Sequence, residues 1–435
     1  NAKGCRVLYL SPLKALAHDV ERNLRSPIAG ITRVAQQLGL PHRVPDVAIR
    51  TGDTPANARA RMRRHPPDIL ITTPESLYLM LTSGASELLT TVETIIVDEI
   101  HAMVPSKRGS HLFLSLERLE ELGPPGRPPR QRIGLSATQK PLDEVARLLG
   151  GGVVRADGGW EPRPVAVVDA GAKKQLDVRV EVPVEDMSTL SDGAGPSTDN
   201  PLEGKSIWPA MHPRLVELIR AHRSTMIFVN SRRLAERLAT ALNETAGETL
   251  ALAHHGSIAK EQRAEIEDAL KRGALPALVA TSSMELGVDM GAVDLVIQIE
   301  APPSVASGMQ RIGRAGHQVG AVSRGVMFPK FRGDLLACAA ASAHMVDGDV
   351  EKSAYPRNPL DVLAQQLVAM TVFGPLDVDH AYEVVRRAAP FADLPRGSFE
   401  GVLDMLSGRY PSADFAELRP RLTWDRVGGT ISARA

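Results

Sequence analysis

The sequence predicts an α/β protein whose mostly parallel sheets are covered by helices on both faces. Short apolar, β-branched runs alternate with helical patterns through residues 1–165, which is typical of strands joined by crossover helices. The alternation returns in residues 166–345 with a different sequence. Residues 346–435 show short helical patterns and then a hairpin pattern, which suits a winged-helix domain. We therefore predict three domains, divided after residues 165 and 345.

The first region begins with a buried strand at 5–10 and a helix at 13–24. Leu13, Leu16 and Val20 recur in that helix at the spacing of one helical face. The other elements predicted in this region are strands at 46–50, 68–72, 92–97 and 132–135, and helices at 76–82 and 110–122.

The second region repeats this architecture, and the third departs from it. Residues 150–175 are rich in Gly, Ala and Pro and mark a domain junction, and the polar segment 188–206 is expected to be a mobile loop. The second region is predicted to hold strands at 175–182, 224–229, 250–253, 277–281 and 294–299, and helices at 213–222, 232–245, 260–272 and 304–315. The third is predicted to hold helices at 359–371, 379–388 and 398–406 and a hairpin around 422–426 and 430–434.

The composition is that of a globular protein without a disulfide framework. Of the 435 residues, 43% are hydrophobic and 23% are charged, which is ordinary for a soluble domain. The two cysteines, Cys5 and Cys338, argue against a cysteine-based zinc site and are compatible with a reducing cytoplasm. No apolar run approaches the roughly 20 residues of a membrane span. The 51 basic and 51 acidic residues cancel, so net charge neither indicates nor excludes a nucleic-acid groove.

Two adjacent carboxylates are the strongest candidates for chemistry. The run Thr-Ile-Ile-Val at 94–97 delivers Asp98 and Glu99 to a predicted strand end, and His101 follows. Ligands bind at the carboxyl ends of strands in open α/β sheets. Phosphoryl transfer needs one carboxylate to hold Mg²⁺ and another group to orient or activate the attacking water. Asp98 and Glu99 suit these two roles, and a solvated strand end is the alternative reading.

A second candidate group lies in the second α/β region. Residues 310–317 read Gln-Arg-Ile-Gly-Arg-Ala-Gly-His, and if they are helical then Gln310, Arg311 and Arg314 share one face. Arginines directed outward from one domain suit a phosphate site shared with another domain, where an arginine finger stabilises charge on the transferred phosphoryl group. In residues 279–290, Thr281 and Ser282 end a strand, and Gly287 and Asp289 follow in a loop.

In their order these motifs resemble those of superfamily 2 helicases of the DExH type and, within them, the large helicase-related (Lhr) family. The resemblance implies two tandem RecA-like domains followed by a winged helix. The segment after residue 345, which contains RNPLDVLAQQLVAM, also resembles the winged-helix domain of that family. The segments that carry it are Ser11-Pro-Leu-Lys-Ala-Leu, Thr51-Gly-Asp, Thr73-Pro-Glu, Asp98 to His101, Ser136-Ala-Thr, Phe228-Val-Asn-Ser-Arg, His255-Gly-Ser, Ala280 to Asp289 and Gln310 to His317.

The resemblance implies an ATP-dependent helicase or translocase that uses Mg²⁺ and moves 3′ to 5′ on single-stranded DNA, with an RNA–DNA hybrid as a further possible track. By position, Asp98 would bind Mg²⁺, Glu99 would position or activate water and His101 would couple the nucleotide to the other domain. Gly287 and Asp289 would line the nucleotide, and Gln310, Arg311 and Arg314 would reach its phosphates.

The same resemblance places a set of residues on the nucleic acid. A motor that grips any sequence contacts phosphates through hydroxyls, backbone N–H groups and basic side chains. The residues assigned to this grip are Ser11, Lys14, Thr51, Gly52, Thr73, Arg232, Thr281 and Ser282. The arginines at 59, 61, 63 and 64 are expected to form a solvated helix face rather than a nucleic-acid contact.

The sequence departs from the family pattern in two places. The family often has Arg where His317 stands, and a neutral imidazole cannot replace a guanidinium fork, so the finger role is assigned to Arg314. No G-x-x-x-x-G-K-[ST] sequence occurs in the chain. The family's phosphate-binding loop lies upstream of the segment at Ser11. We therefore expect a chain truncated at both ends, with an incomplete winged helix and no ATPase activity of its own.

Two other functions remain open at this stage. The chain could act as a nucleic-acid-binding module without ATPase activity. It could also belong to a translocase that remodels protein–DNA complexes without separating strands.

Overall fold

The computed structural model describes residues 4–137, 139–169, 175–188, 206–287, 293–316, 322–409 and 419–434. The chain divides into two compact units, one formed by Asn1–Val168 with Lys352–Ala435 and the other by Asp169–Glu351. The winged helix therefore belongs to the same unit as the first α/β domain. Within the described residues, no helix is both long enough and apolar enough to cross a membrane. Residues 189–205 of the predicted mobile loop lie outside the described part of the chain.

The first α/β domain is a five-stranded parallel sheet of order β2-β3-β1-β4-β5. Leu8, Leu70 and Ile95 are fully buried on neighbouring strands, because helices cover the sheet. The strands are β1 Val7–Leu10, β2 Val47–Arg50, β3 Ile69–Thr72, β4 Thr94–Val97 and β5 Gln131–Gly134. The helices are α1 Lys14–Gln37, α2 Ala56–Arg64, α3 Pro74–Leu81, α4 Lys107–Glu120 and α5 Leu142–Gly150, and a small antiparallel pair follows, β6 Gly152–Val154 and β7 Trp160–Pro162.

The second α/β domain is a six-stranded parallel sheet of order β10-β11-β9-β12-β13-β8. Its central strands β9 and β11 are buried along their whole length. The strands are β8 Leu176–Val180, β9 Thr225–Phe228, β10 Ala251–His254, β11 Ala277–Ala280, β12 Leu295–Ile299 and β13 Ser323–Phe328. The helices are α6 Trp208–Arg220, α7 Arg232–Ala246, α8 Lys260–Lys271, α9 Val305–Ile312 and α10 Arg332–Asp347.

The C-terminal region is built from three helices and a small antiparallel sheet of order β14-β16-β15. Its core contains Phe391, Phe399 and Ile431, and Leu114 of α4 belongs to the same core. The elements are α11 Leu360–Met370, β14 Leu376–Asp377, α12 Val378–Arg387, α13 Arg396–Leu406, β15 Leu422–Asp425 and β16 Thr430–Ala433. Three helices followed by a hairpin form the predicted winged helix.

One predicted helix ends early. The pattern predicted a helix over 304–315, but α9 ends at Ile312, and Arg314 lies in the following turn. Gly313 directly follows α9, and Gly316 adopts a left-handed φ of 63° that is typical of glycine beyond a helix end. Gln310, Arg311 and Arg314 therefore do not share one helical face, because Arg314 lies outside α9.

Candidate nucleotide and nucleic-acid sites

The carboxylates Asp98 and Glu99 lie at the carboxyl end of β4, as predicted. The backbone N–H of Asp98 donates to the carbonyl of Leu10 at 2.9 Å. The side-chain Oδ1 of Asp98 accepts a hydrogen bond from the backbone N–H of Glu99 at 2.9 Å. Glu99 adopts the left-handed conformation, with φ 47° and ψ 44°, which is unfavourable for a residue other than glycine. The N–H of Ile100 donates to Leu135 of the neighbouring strand end, which holds this turn. Such backbone strain is commonly found at functional sites.

Tyr9 is a neighbour of Asp98 that the sequence did not indicate. In the sheet, Tyr9 lies beside Ile96, so Tyr9 and Asp98 project from the same face, two positions apart along the strands. The Tyr9 hydroxyl lies close enough to the Asp98 carboxylate to affect its pKa. Burial raises the pKa of Asp98, the Tyr9 hydroxyl opposes this, and the negative charge of Glu99 raises the pKa further.

His101 connects this turn to the next strand end. Its side chain is buried, and its Nδ1 accepts a hydrogen bond from the backbone N–H of Ala137 at 3.2 Å. The same nitrogen lies 3.4 Å from Oε2 of Glu99. His101 is therefore bonded to the Ser136-Ala137 segment of the same domain and lies next to Glu99. Thr138 lies beyond the described residues.

The oxygen donors at this strand end fit a magnesium ion. Mg²⁺ is a hard cation that binds through one or two carboxylates together with water and substrate phosphates. Asp98, Glu99 and the Tyr9 hydroxyl offer only oxygen atoms. In the described part of the chain no group of three or more His, Cys, Asp or Glu side chains could enclose a metal. A site completed by the phosphates of a nucleotide fits this arrangement better than a closed protein cage.

Ser11, Thr51 and Thr73 follow β1, β2 and β3 and so come to the same edge of the sheet as Asp98. Their hydroxyls, however, are buried and engaged within the domain. Ser11 donates to the carbonyl of Leu13 at 3.0 Å, Thr51 accepts from the N–H of Asp53 at 3.3 Å, and Thr73 caps α3 by accepting from the N–H of Ser76 at 3.4 Å. These hydroxyls shape the loops, which corrects the expectation of hydroxyl contacts to phosphate here.

Gly52 and Lys14 remain at the surface of this edge. Gly52 is exposed, and a Cβ added to it would lie 3.4 Å from Nζ of Lys14. Lys14 forms an ion pair with Asp53 at 2.6 Å, and both side chains are about half exposed. Within this predicted set, Gly52 and the Lys14 ammonium are thus the groups that lie at the surface.

Arg108 is a second residue that the sequence did not indicate. It lies in the first turn of α4, and its guanidinium donates to both carboxylate oxygens of Glu75, at 2.5 and 3.0 Å, and to the carbonyl of Pro12 at 2.8 Å. Burial raises the pKa of Glu75, but the hydrogen bonds and charge of Arg108, together with hydrogen bonds from the backbone and Thr73, lower the pKa overall. Arg108 therefore ties the loop that follows β1 to the first turn of α3.

In the second domain, Arg311 is enclosed rather than directed outward. It is 1% exposed and donates to Oε1 of Glu285 at 2.5 and 2.7 Å, and to Asn230 and Gln298 at 2.9 Å each. Its guanidinium also lies over the ring of Phe228. With its donors directed at these partners, Arg311 does not fit the predicted contact with phosphates and instead ties α9 to β12 and to the segments that follow β9 and β11.

Glu285 joins both arginines of this motif. While its carboxylate binds Arg311, its backbone carbonyl accepts a hydrogen bond from Arg314 at 2.6 Å. Arg314 and Gln310 are half-buried. The segment after β11 thus holds the segment after α9, a relation that the sequence motifs did not reveal.

Arg232, Thr281, Ser282 and Gly287 follow the carboxyl ends of β9 and β11, which are neighbouring strands. Thr281 and Ser282 follow β11, and Ser282 is exposed. Arg232 begins α7, is exposed, and donates to the hydroxyl of Ser257 at 2.7 Å. Gly287 is also exposed, whereas Asp289 and His317 are not among the described residues.

Comparison with known protein families agrees with this architecture. Residues 1–146 match the DEAD/DEAH box helicase model, and residues 211–318 match the helicase conserved C-terminal domain. Residues 343–435 match the winged helix domain of the large helicase-related protein. The fold is thus that of a helicase of two RecA-like domains followed by a winged helix, which confirms the predicted fold class.

The chain belongs to the Lhr family, which confirms the resemblance seen in its motifs. A Lhr helicase/uracil glycosylase of Escherichia coli is 50% identical over 99% of this chain, and an ATP-dependent helicase Lhr-Core of Methanocaldococcus jannaschii is 40% identical over 92% of it. The structure of Mycobacterium smegmatis helicase Lhr bound to ssDNA and AMP-PNP covers the whole chain at 55% identity with a TM-score of 0.87. The chain spans 29% of the first protein, 45% of the second and 53% of the third.

Proposed function

We propose that this chain is the motor part of an ATP-dependent helicase that moves 3′ to 5′ on single-stranded DNA and separates duplexes. The observation that carries the proposal is the strand-end group of Asp98, Glu99 and His101, held in a strained turn at the carboxyl edge of a parallel sheet. The relatives named as ATP-dependent helicases, and the similar Lhr protein bound to ssDNA and AMP-PNP, support it.

In this proposal the first domain supplies the hydrolytic groups. Asp98 would hold Mg²⁺, which when bound neutralises charge on the nucleotide phosphates. Glu99 would orient the attacking water and accept its proton, and the strained backbone fixes the direction of its side chain. His101 contacts the backbone of Ala137, so a change at Glu99 would be transmitted to that segment.

The second domain would supply positive charge to the phosphates. We assign that role to Arg314, which Glu285 holds through its backbone carbonyl. Gln310, Gly287 and Asp289 would line the nucleotide. Arg311 would act as a positioning residue, because its guanidinium is bound to Glu285, Asn230 and Gln298.

The strand would be gripped through its phosphates by the accessible groups at both sheet edges. These are Lys14 and the backbone of Gly52, next to the buried Thr51, in the first domain, and Arg232, Thr281 and Ser282 in the second. Because phosphates are the same at every nucleotide, such contacts bind without regard to sequence.

The proposal is tested by Glu99→Gln in the full-length protein. The amide keeps the shape of the side chain but cannot accept the proton of water. We therefore expect retained nucleotide binding and a fall in DNA-stimulated ATP turnover of roughly 100-fold or more. Glu93→Gln is a matched control, because Glu93 pairs with Arg6 on the surface with both side chains more than half exposed. ATP turnover by Glu99→Gln close to that of the wild type would refute the assignment.

A further inference from the structure

Three arginines lie near one another at the end of β2 and on α2. Arg50 is the last residue of β2, and Arg59 and Arg63 lie four residues apart on α2, so their side chains share one helical face. Arg59 donates to the carbonyls of Gly52 at 2.9 Å and Thr51 at 3.3 Å, which places its guanidinium over the turn. Nη1 of Arg63 lies near Gly84, 3.8 Å from where a Cβ of that residue would stand.

Within the described residues, the three arginines of this cluster lack the acidic partner that several other arginines of the domain have. Arg25, Arg43 and Arg108 each pair with a carboxylate. Among the described residues, by contrast, no ion pair involves Arg50, Arg59 or Arg63. The buried Nε of Arg59 likewise makes no hydrogen bond to the described part of the chain.

The electrostatics of Arg50 reflect this crowding. Its guanidinium is about half-buried, and burial lowers its pKa, as do the positive charges of Arg59 and Arg63. Holding like charges together is unfavourable, and a bound anion would relieve the repulsion. A guanidinium fork matches the oxygens of a phosphate, so several converging forks favour that anion.

We propose that Arg50, Arg59 and Arg63 form a binding site for a backbone phosphate of the single DNA strand. The inference rests on the proposed function, and it extends the strand path beyond the Thr51–Gly52 turn onto α2. It replaces the expectation that all arginines of α2 form a solvated face. That expectation still suits Arg61, which lies roughly 200° around the helix from Arg59 and is exposed.

The site is tested by the salt dependence of binding to a fluorescent single-stranded oligonucleotide. Each lost phosphate contact on a single strand lowers the slope of log K against log salt by about 0.7. We therefore expect Arg63→Gln and Arg50→Gln each to weaken binding several-fold at low salt and to reduce the slope by about that amount. The matched control Arg61→Gln removes the same charge from the opposite face of α2, and its slope should remain that of the wild type.

Two further measurements complete the test. Thermal unfolding checks that the variants are folded, and Arg59→Gln is left out because Arg59 also holds the turn. Titration with inorganic phosphate at constant ionic strength distinguishes a site for the phosphates of DNA from a site for the free phosphate ion. The inference is overturned if Arg63→Gln and Arg61→Gln bind DNA alike, or if Arg63→Gln loses phosphate binding but not DNA affinity. Failure of the wild type to bind DNA would instead refute the proposed function.

Discussion

At the scale of single residues, the motifs located the strand-end groups, but not the contacts that hold them. Asp98 and Glu99 could be predicted because an apolar run followed by two carboxylates is a local pattern. The position of Tyr9 beside Asp98 could not, because it depends on the register of β1 against β4, whose residues are almost ninety positions apart. For Arg311 the motif was recognised in the sequence, but the direction of its side chain was not. That direction depends on Glu285, Asn230 and Gln298, which lie elsewhere in the sequence.

The contact of Tyr9 with Asp98 predicts a specific effect on magnesium use. Tyr9→Phe removes the hydroxyl that orients the Asp98 carboxylate, so Mg²⁺ should bind more weakly with the nucleotide. We expect the Mg²⁺ concentration for half-maximal ATP turnover in the full-length protein to rise severalfold, with a smaller change at saturating Mg²⁺.

Tyr382→Phe is the control for this experiment. It removes a partly buried hydroxyl that donates to the carbonyl of Leu394 at 2.6 Å in the winged helix. Its Mg²⁺ dependence should equal that of the wild type. An unchanged Mg²⁺ dependence in Tyr9→Phe would show that the hydroxyl does not position Asp98 for the metal.

At the scale of elements, the regular apolar patterns of strands and helices could be predicted from the sequence, whereas the points where an element ends early could not. Apart from β13, the strands of both parallel sheets and the three helices of the winged helix lie close to their predicted positions. β13 was missed, since its sequence begins Ser-Arg-Gly and has a weak strand pattern. Gly325 is required there, because a Cβ would lie 2.6 Å from the Ile312 side chain. α9 was predicted too long, since the apolar spacing continues past the glycines that end it.

The helix α4 connects two parts of the molecule. Near its beginning Arg108 holds the loop after β1 and the start of α3, and near its end Arg118 extends into the winged helix. Arg118 donates to Oε1 of Gln366 at 2.7 Å and to the carbonyl of Ala369 at 3.3 Å, and Gln366 in turn donates to the hydroxyl of Ser115 at 2.9 Å. Burial lowers the pKa of Arg118 to about 10. α4 is thus fixed at both ends by buried or partly buried polar bonds.

This network predicts that Gln366 is important for the stability of the first unit. Gln366→Ala leaves the buried Arg118 guanidinium without its strongest acceptor, and a lost hydrogen bond to a charged group costs about 1.5–3 kcal/mol. We expect a decrease of that size in the free energy of unfolding, measured with urea. Gln365→Ala, at the exposed neighbouring position, should change it by less than about 0.5 kcal/mol. Equal effects of the two substitutions would contradict the role given to this network.

At the scale of the whole molecule, the sequence predicted three domains, but not that two of them form one compact unit. Leu114 of α4 lies in the winged-helix core, while Tyr355 and Ala389 from the C-terminal region lie in the core of the first α/β domain. These contacts join residues more than two hundred positions apart, so no local pattern reports them. The winged helix should therefore act as a fixed part of the first domain rather than as a module on a tether.

Hydrogen exchange measured by mass spectrometry tests this shared core. Leu114→Ala removes a fully buried side chain where the two cores meet, which costs about 2–5 kcal/mol. Because the core is shared, exchange should speed up in β1, β3 and β4 and also in α11 and α13, while α6 and α7 remain protected. Leu215→Ala, at a fully buried position of the second unit, should give the reverse pattern. Faster exchange in the winged helix alone would show that it unfolds independently of the first domain.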